Sequence, residues 1–255
     1  MESHFEPLGT GPRGQELRVC VSRLHKFGTD AFLLADFARA RHKDLCADLG
    51  TGCGIIPMVL YKKYDPKKIY AVELQPEAAA LCRETVAASG AEETVLPLEA
   101  DLRELGPLIP AGSLDLITCN PPFQDPGTGL LSEIPGRRQA LHELTCTLDD
   151  LCRAAARLLR FGGRLCLCQR PERLADVVCT LRAHRLEPKR MRLAAKDASS
   201  LPWLVLIEAK YGSKPFLQVE PPLFSMNPDG SFTDEMLNIY GNIPTVHNAE
   251  RKEAE

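Results

Sequence analysis

From Leu45 onward the chain alternates short apolar runs with segments in which apolar residues recur every three or four positions. The runs at 45–49, 68–73, 94–100, 114–119 and 164–169 have the length of strands, and Pro97 predicts an edge position for the third, because it cannot donate to a ladder. Helices are predicted over 55–64 and over 76–89, where Pro76 is tolerated in the first turn and Ala78, Leu81, Cys82 and Val86 share one face. A third is predicted after Thr147, which with Asp150 forms a capping box, and Gly162-Gly163 is expected to stop it. Pro171 opens a further helix to about His184, and 201–209 supplies a late strand. Strands and helices alternating at these lengths imply an α/β fold with right-handed parallel crossovers in one sheet.

The flanks read differently. Residues 1–16 are polar and rich in Gly and Pro and predict a loose N-terminal arm, followed by a short strand at 18–22 and a helix at 31–37 capped by Thr29 or Asp30. Residues 124–145 lack periodicity and predict a long loop. A Pro-rich extension covers 214–240, and the polar tail 241–255 is expected to be disordered. Residues 17–240 are therefore expected to form a single domain.

Composition adds limits. The chain has 255 residues, 44% hydrophobic and 25% charged, as expected of one globular domain. No apolar run approaches the ~20 residues of a membrane span, and no signal-peptide core is present, so a cytoplasmic protein is expected. The ten cysteines contain no C-x-x-C pair and read as reduced core residues rather than a disulfide framework or zinc site. Net charge is only −3, yet residues 151–192 hold eleven basic side chains against three acidic ones, the balance expected of a surface facing a polyanion.

The segment Asp48-Leu49-Gly50-Thr51-Gly52-Cys53-Gly54 is a glycine-rich turn between a strand and a helix. Glycines admit positive φ and let a ligand approach the backbone closely. A dinucleotide fingerprint would read G-x-G-x-x-G, whereas here an acid heads the pattern and would repel a pyrophosphate. It suits a ligand carrying its own ammonium and sulfonium charges, S-adenosyl-L-methionine (SAM), and the turn resembles motif I of the class I methyltransferases. Three more features fall at predicted strand ends, where ligands bind in open α/β sheets. Glu73, with Leu74 beside it, offers two acceptor oxygens to ribose hydroxyls. Asp101 and Leu102 would meet the adenine, and Asn120-Pro121-Pro122-Phe123 follows the fourth strand. Thr29 and Asp30 would close the methionine end.

The last motif carries the chemistry. A conjugated amine is a poor nucleophile, because its lone pair is delocalised into the ring. The Asn120 side-chain oxygen and the Pro121 carbonyl can each accept one of its hydrogens and aim the lone pair at a methyl group. Consecutive prolines hold those carbonyls rigidly, and Phe123 offers a stacking face for a flipped base.

These residues resemble the (D/N/S)-P-P-(Y/F/W) N-methyltransferases, and the chain is most similar to the bacterial tRNA(Val) adenine-N(6)-methyltransferase family, which modifies the adenosine 3′ of the anticodon. The likeness includes Phe27-Gly28-Thr29-Asp30, residues 48–57, His142-Glu143, residues 170–174 and 186–190, Lys214-Pro215 and Pro221-Pro222. It covers about residues 17–240. Where the family usually has Tyr, this chain has Phe123, which keeps the stacking face and lacks the hydroxyl.

The resemblance implies a Rossmann-like, mainly parallel seven-stranded sheet with helices on both faces and a late antiparallel strand. It also implies SAM as methyl donor, S-adenosylhomocysteine as product, direct transfer without a metal, and a tRNA substrate with no obligate protein partner. Arg170, Arg173, Lys189, Arg190 and Arg192 would bind RNA phosphates. Ribosomal-RNA guanine-N(2) methylation, protein glutamine-N(5) methylation and a non-catalytic SAM/RNA-binding module are the alternatives.

Overall fold

In the computed structural model, which describes residues 2–121 and 146–241, five neighbouring strands run parallel. They are β3 (Leu45–Leu49), β4 (Lys68–Glu73), β5 (Val95–Glu99), β6 (Leu114–Cys119) and β7 (Leu159–Gln169). Helices α1 (Thr29–Ala38), α2 (Ile55–Tyr64), α3 (Pro76–Ala88), α4 (Leu148–Leu158) and α5 (Leu174–Ala183) accompany them. The late strand β9 (Leu204–Tyr211) runs antiparallel to β7, as expected. With β8 (Leu186–Ala195), β10 (Gln218–Val219) and β11 (Leu223–Phe224), they form a sheet of nine strands among the described residues. Their order is β10-β8-β9-β7-β6-β3-β4-β5, with β11 beside β8. Seven of them form the expected sheet, and the other two are two-residue additions at the β8 edge.

Side chains alternate between two cores. Cys166 and Cys168 face one side with Leu206, while Leu165 and Leu167 face the other with Val205 and Ile207. Nearly all the cysteines are buried and every one is a free thiol. Pro97 does lie on an edge strand, β5. The capping box forms as read: Thr147 Oγ1 accepts from Asp150 N, and Asp150 Oδ2 accepts from Thr147 N, each at 3.1 Å.

Four expectations are corrected. Residues 3–10 are not a loose arm: β1 (Ser3–Thr10) pairs antiparallel with β2 (Glu16–Ser22), burying Leu8 and Leu17. Only those two leucines pin the outer half of the hairpin, too few to show as a pattern. Gly162-Gly163 does not end a helix; α4 stops at Leu158 and the glycines lie inside β7, where a Cβ on Gly163 would stand 2.9 Å from the Leu114 carbonyl of β6. β8 was not read as a strand, because Pro188 and its cations break the alternation, and the register slips between Pro188 and Arg190. Neither Thr29 nor Asp30 caps α1, since Gly28 occupies the cap position.

The Pro-rich extension folds back on the domain. Helix α6 (Asp234–Tyr240) sets Tyr240 edge-on to Phe32 at 5.1 Å, and its hydroxyl meets Thr29 Oγ1 at 2.7 Å. The extension thus braces the N-terminal turn of α1. Among the described residues, no helix is long and apolar enough to cross a membrane.

Candidate active site

The chain runs from β3 to β4 to β5 in one direction and then returns to place β6 on the other side of β3. A crevice opens where the order reverses, at the carboxyl ends of β3 and β6. Here it is a cleft of about 670 Å³, large enough for a nucleoside-sized ligand.

The turn after β3 forms its floor. Gly50 and Gly52 adopt φ of 77° and 57°, and a Cβ on either would project into open space. The turn's amides are already committed. Gly50 N and Thr51 N donate to the Val72 carbonyl, Gly52 N donates to Glu73 Oε2 at 2.9 Å, and Gly54 N donates to Thr51 O. A pyrophosphate needs such amides pointing outward, so the cradle suits a ligand held by its shape and its hydroxyls.

Gly54 has another task. It does not line the cleft, and a Cβ there would stand 2.9 Å from Cys82 Sγ on α3. Its role is close packing of α2 on α3. Thr51 likewise turns inward and is buried.

Asp48 is fully buried beneath the turn and does not line the cleft, so direct contact of its carboxylate with a ligand's charges is not what the structure shows. Its Oδ1 accepts from Thr118 Oγ1 at 2.7 Å, whereas its Oδ2 and the Thr51 hydroxyl are buried without hydrogen-bond partners among the described residues. Burial pushes the carboxyl up to about 6, against the Thr118 hydrogen bond that favours the ionised form. A carboxyl raised in the fold contributes stability below its unfolded value, and that contribution is lost as pH rises through about 6. Asp48→Asn, whose amide can donate to the Thr51 hydroxyl, is therefore expected to unfold at a higher temperature than the ligand-free parent at neutral pH. The roughly two-unit shift is worth up to about 3 kcal/mol at neutral pH, and the advantage should shrink toward pH ~4. Thermal unfolding at both pH values checks this, and a variant no more stable at neutral pH contradicts it.

Glu73, at the end of β4, faces the cleft with both oxygens fixed: Oε2 takes the Gly52 amide and Oε1 the Gln75 amide at 2.8 Å. Each oxygen keeps a second lone pair for a ligand hydroxyl. Leu74, Ala100 and Leu102 supply an apolar wall. Asp101 also lines the cleft, but its carboxylate is gripped by the Arg103 backbone amide and guanidinium, which hold it below the usual carboxylate range.

Asn120 and Pro121 stand across the cleft from this floor. Asn120 Nδ2 donates to Asp30 Oδ2 at 2.8 Å, and the Cys168 thiol donates to Asn120 Oδ1 at 3.0 Å. A carboxylate only accepts, so Asp30 fixes which way the amide points. Burial holds the Cys168 thiol well above its ordinary value and keeps it a donor. Asp30 Oδ1 takes the Ala31 amide, which locks the carboxylate to the start of α1. Thus Asp30 orients Asn120 rather than lining the cleft, and Thr29 is bound to Tyr240. The sequence reading missed Cys168 and Tyr240, which carry no local signal. Pro122 and Phe123 lie outside the described residues.

The basic segment is largely neutralised within the fold. Arg153, Arg160, Arg164, Arg173, Arg182, Arg190 and Arg192 each have a carboxylate within 4 Å. Arg190 is 12% exposed between Glu208 and Glu220 and lies 3.9 Å over the Phe37 ring, so it is structural rather than a phosphate ligand. Arg192 grips Glu235 and the Pro221 carbonyl with 14% exposure. Lys189 donates to Lys214 O and rides over Phe216. Arg173 lines the cleft, and Arg170 is exposed next to the cleft residue Gln169.

A family model described as methyltransferase small domain matches residues 25–177, which span the cleft from His25 to Arg173. A tRNA1(Val) (adenine(37)-N6)-methyltransferase of Porphyromonas gingivalis is 32% identical over 178 residues, covering 68% of each chain. A protein of the same name from Photorhabdus laumondii is 26% identical over 215 residues, covering 84% of this chain and 86% of its own. Among solved structures, a predicted O-methyltransferase from Agrobacterium tumefaciens has a TM-score of 0.66 at 23% identity and covers 83% of this chain and 95% of its own. A geranyl diphosphate methyltransferase in complex with SAM has a TM-score of 0.52 at 14% identity, covering 71% and 83%. These two share the fold.

Proposed function

The chain belongs to the methyltransferase small-domain family, and from that premise we propose that it transfers a methyl group from SAM to the exocyclic N(6) amine of an adenosine in tRNA, the one 3′ of the anticodon of tRNA(Val). The observation that carries this reading is the oriented Asn120 amide facing a cradle formed by Gly50, Gly52 and Glu73 across one cleft. The residues fit the donor. The space left by two absent Cβ atoms admits a close ligand, Glu73 keeps acceptor capacity for two ribose hydroxyls, and Leu74 and Leu102 can pack an adenine.

Bound there, SAM supplies an electrophilic methyl on a sulfonium. The chain's own work lies on the acceptor side. Asn120 Oδ1 retains one lone pair beyond the Cys168 thiol, and the Pro121 carbonyl supplies a second acceptor. Holding both amine hydrogens draws the nitrogen toward pyramidal geometry and aims its lone pair. Asp30 keeps the amide from turning its amino group to the substrate. Arg170 and Arg173, near the cleft mouth, would meet RNA phosphates, whereas Lys189, Arg190 and Arg192 are withdrawn from that role by their contacts.

A transfer assay with labelled SAM tests the substrate class by offering bulk tRNA, ribosomal RNA and a release factor in parallel. Label is expected in tRNA. Label confined to ribosomal RNA or to the release factor would overturn the reading.

A further inference from the structure

Arg190 and Arg192 are spent inside the fold and Lys189 is engaged by Lys214 O and Phe216, so of the basic residues named for RNA only Arg170 and Arg173 stand near the cleft, and an RNA backbone passing over it needs further cations on the rim. The cleft floor cannot meet it. Glu73, whose oxygens hold the Gly52 and Gln75 amides, lines that floor and repels phosphate. The turn between β2 and α1 is different: Leu24, His25 and Lys26 line the cleft, and Arg23 precedes them.

This turn is exposed in its side chains and fixed in its backbone. Ser22 is fully buried; its amide donates to the His25 carbonyl at 3.1 Å, and its hydroxyl accepts from the His25 amide at 3.2 Å. On the far side Phe27 packs edge-on against Phe32 at 5.8 Å. Between these anchors Arg23 and Lys26 are exposed, and among the described residues neither has a carboxylate within 4 Å. Leu24, between them in sequence, lines the cleft and is 56% exposed. Among the described residues, two cations without a carboxylate partner thus flank an exposed leucine on a braced turn.

We propose that residues 23–26 are an RNA-docking element of the site. Arg23 and Lys26 take backbone phosphates on either side of the adenosine drawn into the cleft, and Leu24 packs against the neighbouring base where stacking is lost. This rests on the tRNA reading above and deepens it, because it adds to Arg170 and Arg173 the phosphate contacts of a segment outside the basic stretch.

The test measures tRNA binding by Arg23→Gln, Lys26→Gln, the double variant and Leu24→Ala over a series of salt concentrations, with SAM affinity measured alongside by calorimetry. Each lost cation should weaken tRNA binding about three- to tenfold at moderate salt and lower the slope of log K against log salt by about 0.7–0.9. SAM affinity should stay at the parent's value. Leu24→Ala should raise the KM for tRNA about threefold or more and leave the salt slope unchanged. A double variant with the parent's slope and affinity, in a preparation where the parent methylates tRNA, overturns this assignment alone. A parent that neither binds nor methylates tRNA overturns the substrate reading and this assignment with it.

Discussion

Asn120→Ala is expected to lower kcat about 10²–10³-fold, the usual cost of removing one oriented polar group from a reacting centre, while the Kd for SAM changes by less than about threefold. The asymmetry follows from position. Asn120 stands at the β6 end, opposite Gly52 and Glu73, and its amide is held by Asp30 and Cys168 rather than by the floor of the cleft. Removing it takes away an acceptor for the substrate amine and leaves the donor cradle whole. Asp30→Ala should give a smaller loss in kcat, because the amide keeps its oxygen and loses only its anchor. Steady-state kinetics beside calorimetric SAM binding separate the two effects. Normal turnover by Asn120→Ala would remove the acceptor mechanism.

Glu73→Ala is expected to act in the opposite sense, raising the Kd for SAM about 100-fold. Two hydrogen bonds from ribose hydroxyls to a carboxylate, at about 1.5 kcal/mol each, give that factor. The same substitution strips the Gly52 and Gln75 amides of their acceptor, so the turn carrying Gly50 and Gly52 also loosens. Glu73→Gln should fall between, because it keeps one accepting oxygen and offers an amino group where an acceptor is needed. At saturating SAM the kcat of either variant should stay within about tenfold of the parent. Binding of SAM by Glu73→Ala with the parent's affinity would place the donor elsewhere.

Much of this site could be read before any coordinates, because its parts are local. The parallel strands are mostly apolar, and the residues that matter sit at their carboxyl ends: Gly50 after β3, Glu73 closing β4, Asn120 after β6. What escaped the reading depends on distant partners. Asp30 and Asn120 lie ninety residues apart in sequence, so nothing nearby indicates that one orients the other. The charge of the basic segment was misleading for the same reason. Arg190 and Arg192 find Glu208, Glu220 and Glu235 on β9 and in the Pro-rich extension, and a count within the segment cannot include them. The first hairpin was missed because its half next to the turn buries only Leu8 and Leu17. Asp48 shows a subtler limit: its place in the motif was legible, whereas its burial, and hence its action through the turn rather than on the ligand, follows only from the packing of Thr118 against it.

The central claim is that this cleft methylates the N(6) amine of an adenosine, and mass spectrometry of nucleosides digested from total tRNA after incubation with SAM tests it most directly. The account predicts N(6)-methyladenosine with the parent enzyme and none above background with Asn120→Ala. Methylation appearing on guanine instead, or on adenosine to the same extent with both proteins, would contradict it.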